Sequence, residues 1–175
     1  MKKSSTKHLV LAGLFVGLGL LMPFLTGQIP SVGSRLLPMH IPVLLGGFVL
    51  GGSFGLVIGL VTPLLRSVLF GMPPLFPTAF VMSCELAAYG YLAGAFYRFW
   101  PKKSDFVYLS LLAAMVGGRI VWGLVSVLVY GLSSTPFTWQ MFMAGSVVNA
   151  LPGIALQILV IPIIVLALKR AKLMA

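Results

Sequence analysis

Acidic residues are almost missing from this chain: of 175 residues only Glu85 and Asp105 carry a carboxylate, against 12 Lys and Arg. Charged residues of both signs make up 8% and apolar residues 59%. A water-soluble protein carries charge on about a quarter of its positions, so this composition excludes a soluble domain and makes lipid the solvent for most of the surface. One cysteine, Cys84, excludes an internal disulfide and any multi-thiolate metal site. Two histidines, His8 and His40, fall on different segments, too few beside two acids to cluster around an ion. No Gly-x4-Gly-Lys-Ser/Thr phosphate cradle occurs, so the chain does not itself hydrolyse ATP, and any ATP energy has to come from a partner. Nor is there a Gly-x-Ser-x-Gly elbow with a plausible base, which leaves little for an intramembrane hydrolase. Proton-coupled carriers generally use several intramembrane carboxylates, and here Glu85 is the single candidate. The expectation is a protein that is not an enzyme and needs neither cofactor nor metal.

What is abundant is apolar sequence, punctuated by 20 Gly and 12 Pro. A membrane-spanning helix needs about 20 apolar residues, and six runs approach that length: 8–25, 37–50, 53–70, 78–99, 105–132 and 138–169. They predict an all-α integral membrane protein, a single transmembrane domain over 1–175. The first run has no small-residue cleavage site followed by a polar mature chain, so it reads as a retained helix and not a signal peptide. The second, with Pro38 and Pro42 near its start, is short for a bilayer and calls for irregular backbone packed on protein at its outer end. The last two exceed one bilayer, so they are expected to tilt or to include an interfacial turn, and Pro152 and Pro162 to kink the sixth.

The net charge of +10 would suit nucleic acid, but the placement of the basic residues favours membrane topology. With six spans, Lys2, Lys3, Lys7, Arg98, Lys102, Lys103, Lys169, Arg170 and Lys172 fall on one side, whereas the opposite loops hold only Arg35. The positive-inside rule then places both termini in the cytoplasm.

Arg66 and Arg119 lie inside spans, as do Glu85 and Asn149. Counting 1.5 Å per residue puts Arg66 and Glu85 in the outer half and Arg119 and Asn149 near the midplane, with His40 at the outer start of the second span. Charges at such depth cost several kcal/mol unless paired or wetted, so they are expected to face the bundle interior, around a cavity opening outward. Glu85 pairing with Arg66 or Arg119 would brace the helices. One carboxylate against two guanidiniums still leaves a net positive charge, and Arg is shaped to grip a carboxylate or phosphate with two hydrogen bonds. The residues point to a small anionic ligand; a cation such as thiamine meets the wrong potential.

Trp122, Tyr130, Phe137 and Trp139 gather near the outer halves of spans five and six, where rings line a pocket or simply anchor at the interface. Gln157 is two turns beyond Asn149, too deep for the same ligand. Pro and Gly in Gly71-Met72-Pro73-Pro74-Leu75-Phe76-Pro77 end the third helix in a stiff turn, and the first outer loop, with Gly27, Pro30 and Gly33, has similar punctuation. Both are either lids or tight connectors. Gly13 and Gly17 in helix one, and Gly55 and Gly59 in helix three, remove bulk at a four-residue spacing and make flat strips for close helix packing, within this chain or against another.

Six spans, the Gly13/Gly17 strip and the missing ATPase motif together resemble the substrate-binding S components of energy-coupling factor (ECF) vitamin transporters. The runs Leu36-Leu37-Pro38-Met39-His40-Ile41-Pro42-Val43, Thr62-Pro63-Leu64-Leu65-Arg66-Ser67, Gly71-Met72-Pro73-Pro74 and Glu85-Leu86-Ala87-Ala88-Tyr89-Gly90 look like the branch that contains pantothenate S components. The resemblance covers most of the chain. It implies a multi-pass subunit of a bacterial cell membrane that captures a vitamin from outside and works with a transmembrane coupling protein and two cytoplasmic ATPases. It also implies that Gly13 and Gly17 face the coupling protein, and that the pocket lies in the outer half, where Arg66, Glu85, Arg119, Asn149, His40 and Trp122 are the candidate substrate-binding residues. Related branches carry pyridoxine-type compounds, hydroxymethylpyrimidine, folate or cobalamin. A self-contained secondary carrier or channel using the same polar cavity is the rival class.

Overall fold

The computed structural model describes residues 6–26, 29–101, 103–131 and 137–174. Lys2, Lys3, Gly27, Lys102 and Leu132, the expected end of the fifth span, lie outside them. The described residues form helices and the turns between them: α1 (Thr6–Leu21) running into a 3₁₀ turn (Met22–Thr26), α2 (Pro30–Leu36), α3 (His40–Leu50), α4 (Gly52–Phe70), a wide turn (Leu75–Ala79) leading into α5 (Phe80–Phe99), α6 (Ser104–Gly131), α7 (Trp139–Met143), a second wide turn (Ala144–Val148) and α8 (Leu151–Arg170).

Five segments are long and apolar enough to cross a membrane: Thr6–Thr26, Gly52–Phe70, Leu75–Phe99, Ser104–Gly131 and Trp139–Arg170. Each contains most of one expected span. The exception is the second run. Residues 37–39 are not helical, and α3 keeps 11 residues, about 16 Å of rise. Leu37 turns left-handed (φ 50°, ψ 49°) and its N–H closes α2 on the Gly33 carbonyl; the following proline disfavours right-handed helix at Leu37 and brings no N–H of its own. In α3 every residue but Val49 is buried, the signature of a helix surrounded by protein. It is walled by α1, α4, α5 and α8, so its length is not set by lipid.

One further expectation is corrected: the stretch 26–36 is not a plain loop, because α2 folds within it. The sixth run, 138–169, is helical from Trp139 to Arg170 and contains a turn: it widens at Ala144–Val148, and α8 starts at Leu151 with Pro152 in the first turn, where its missing N–H costs nothing.

Helix α5 lies at the centre, packed on α3, α4 and α6. Its approach to α4 is backbone on backbone. A methyl group added at Gly55 would run into the Gly90 carbonyl, one at Gly59 into the Leu86 carbonyl, and one at Gly90 into Gly55. The Gly55/Gly59 strip is therefore used inside this chain. Gly13 and Gly17 differ: nothing lies within 4 Å of a side chain added at either. Gly51 joins α3 to α4 in one residue at φ 94°, a conformation that side chains rarely adopt.

At one end of the bundle His8 stacks on Phe54 at 5.8 Å and Arg98 donates to the Leu50 carbonyl at 3.0 Å. At the other end the 3₁₀ turn after α1, α2, the last turns of α4, the beginnings of α3 and α5, α6 and the second wide turn surround a cavity.

Candidate functional site

Helical spacing prepares one wall of this cavity. Thr78, Met82 and Glu85 recur at intervals of four and three residues, so they share one face of α5 and its leading turn; all three line the cavity. Arg119 and Trp122, three apart on α6, form a second wall, and Gly145 and Asn149, four apart across the second wide turn, a third. Met39 and His40 at the start of α3 and Arg66 from α4 line the cavity as well. Two connections contribute, Thr26, Ile29 and Gly33 from the one after α1 and Met72, Pro73 and Pro74 from the one after α4. The cavity measures about 420 Å³, within the usual range for small-molecule sites.

All six candidate residues, Arg66, Glu85, Arg119, Asn149, His40 and Trp122, thus border one space. Gln157, fully buried in α8, is not among the lining residues. Tyr130, Phe137 and Trp139 also stay off the cavity wall. They act through Trp122: Phe137 meets its ring edge-on at 5.3 Å and stacks on Tyr130 at 6.0 Å, while Phe142 stacks on Trp122 at 5.8 Å and on Trp139 at 5.3 Å. Gly145 makes room for this ring, since an added methyl group would sit 2.7 Å from the indole edge.

The pairing among the charged groups is specific. Arg119 Nη1 donates to Glu85 Oε1 at 2.8 Å. His40 Nε2 lies 3.6 Å from the same oxygen, and the His40 ring meets Tyr89 edge-on at 5.1 Å. Tyr89 sits one turn beyond Glu85 and rests against α6 where Gly118 has no side chain, which brings the residue next to Gly118, Arg119, into reach of the carboxylate. Arg66 takes no part in this cluster. It is 3% exposed, donates through Nη1 to the Leu20 carbonyl of α1 at 2.6 Å, and faces the rings of Phe24 and Phe70 at 5.2 and 5.3 Å.

The brace foreseen for Glu85 therefore exists, with Arg119, and does not use up the polar groups. Arg119 Nε and Nη2, together with both ring nitrogens of His40, are buried without a hydrogen-bond partner among the described residues. A buried donor left unmatched costs about 1–3 kcal/mol. Nε and Nη2 form the side-on edge of the guanidinium, the one that matches the two oxygens of a carboxylate.

Met39, Met82, Thr78 and Phe142 were not singled out from the sequence. Thr78 and Met82 were accessible through their helical spacing to Glu85; Phe142 was not, because the wide turn after it shifts the register of the last span.

No curated protein and no solved structure matches the chain. A protein-family model does, over residues 7–165, and it describes the ECF transporter, substrate-specific component. That match takes in nearly all of the five apolar helices, α3 and every residue on the cavity wall, and on its strength the chain belongs to the substrate-specific components of ECF transporters: a multi-pass membrane subunit of a transport system, not an enzyme.

Proposed function

We propose that this subunit binds a small carboxylate-bearing vitamin, with pantothenate as the first candidate, and delivers it to an ATP-driven importer. The observation that carries the reading is the convergence of two guanidiniums and one carboxylate on a single cavity, which leaves one net positive charge for a monoanion to neutralise. In a low-dielectric site a charge of that sign selects strongly against cations. Pantothenate adds hydroxyls and an amide to its carboxylate, and Glu85, His40 and Asn149 supply acceptors and donors to match. A cavity of about 420 Å³ favours such a compound over cobalamin.

In this reading the chain crosses a bacterial cell membrane with both termini in the cytoplasm, α3 standing in for a sixth span. Support comes from charge placement: Lys7, Arg98 and Lys103 flank the end of the bundle away from the cavity, and Arg170 ends α8, which starts beside Arg35 and Leu36 at the cavity end. The cavity then faces outward. A transmembrane coupling protein and two cytoplasmic ATPases complete the importer.

The test is a thermal-shift screen of the purified chain against pantothenate, pyridoxine, hydroxymethylpyrimidine, folate, cobalamin and thiamine. A ligand at a hundred times its Kd adds about 2.7 kcal/mol to the native state. Stabilisation by pantothenate and none by thiamine is expected; stabilisation by thiamine alone refutes the anion reading. Uptake by the chain alone in liposomes would show a self-contained carrier instead.

A further inference from the structure

Arg66 borders the cavity and at the same time holds the end of α1. Its Nη1 donates to the carbonyl of Leu20, at the last turn of α1, where helix carbonyls run out of partners and the dipole is negative. The rings that flank it, Phe24 and Phe70, meet each other edge-on at 5.2 Å. One turn before Arg66, Thr62 packs on Gly19 of α1. Elsewhere α1 is loosely held: only Phe15 and Gly19 of its 16 residues are buried. Past Leu21 the chain runs straight into the cavity wall through Pro23 and Thr26.

Charge separates the two arginines. Arg119 has a carboxylate at 2.8 Å, whereas Arg66 has no ion-pair partner among the described residues, only a carbonyl and two aromatic faces. The uncompensated cation of the cavity is Arg66.

We propose that Arg66 receives the anionic group of the ligand and ties it to the outer end of α1, so that occupancy of the cavity is transmitted to that helix. A guanidinium carries five N–H donors in a fixed fork, so Nη1 stays on Leu20 while the remaining donors take the anion. Lysine offers a point charge without that fork and cannot hold both in register. Arg119, already neutralised, then reads the uncharged polar part of the ligand with Glu85 and His40. This rests on the carboxylate reading of the cavity.

Hydrogen exchange on the full chain in detergent tests the tie, with pantothenate and with panthenol, the same scaffold bearing an alcohol in place of the carboxylate. Saturating pantothenate is expected to slow exchange of the backbone amides in residues 21–26 about tenfold, the effect of one hydrogen bond to a charged group on local opening. Panthenol leaves those amides unchanged, whether it occupies the cavity or is rejected. Arg66→Lys still binds pantothenate by calorimetry and shows no slowing at 21–26; should that variant not fold, the two-ligand comparison on the unaltered chain decides. Pantothenate binding with residues 21–26 unaffected, or slowed equally by panthenol, overturns the tie and leaves the carboxylate reading standing. If no carboxylate vitamin binds, both fall.

Discussion

Glu85 on α5 and Arg119 on α6 share a single hydrogen bond of 2.8 Å, and it occupies only one corner of the guanidinium. The pair neutralises two charges that lipid would not tolerate, while the unmatched Nε and Nη2 keep Arg119 able to serve a ligand. In the proposed function, brace and binding group are one residue.

Removing the carboxylate should expose that double role. Glu85→Gln leaves Arg119 buried without its counter-charge, at a cost of about 3 kcal/mol, so the melting temperature in detergent falls. The same change raises the net charge of the cavity, and calorimetry should show a stronger preference for pantothenate over panthenol. An unchanged melting temperature would mean that the pair does not form.

Arg119→Lys keeps the charge and removes the fork. Pantothenate affinity measured by calorimetry should drop about tenfold or more, the loss of one charge-assisted hydrogen bond, and retained affinity would argue that Arg119 is structural alone.

Trp122 borders the cavity, whereas Trp139 stays off its wall and Trp100 stacks on Phe96 at the far end. Ligand binding should therefore alter tryptophan emission through Trp122. Titration of Trp122→Phe should lose most of that signal and keep measurable binding.

The two glycine strips should respond in opposite ways. Gly55→Ala or Gly90→Ala drives a methyl group into facing backbone, a strain of about 1–3 kcal/mol or more, so thermal stability and yield fall. Gly13→Leu meets open space. It should leave the melting temperature and vitamin binding intact, and reduce co-purification with the coupling protein if that face is the docking surface.

Much of this was written in the sequence, because it depends on quantities that run along one chain. Apolar run length set the helices to within a few residues for five segments, and the scarcity of acids argued against metal catalysis and self-sufficient pumping. Axial depth, 1.5 Å per residue, placed Arg66, Glu85, Arg119, Asn149, His40 and Trp122 toward the same part of the bundle. Which charge meets which was not legible there. Depth says nothing about rotation of one helix against its neighbour, and that rotation is fixed by contacts between distant residues: Gly90 against Gly55, Tyr89 against Gly118. Only the packed fold could give Glu85 to Arg119 and leave Arg66 on Leu20. It also decided that protein and not lipid surrounds α3, and that the last span widens at residues 144–148, since both follow from what lies beside the backbone more than from the residues within it.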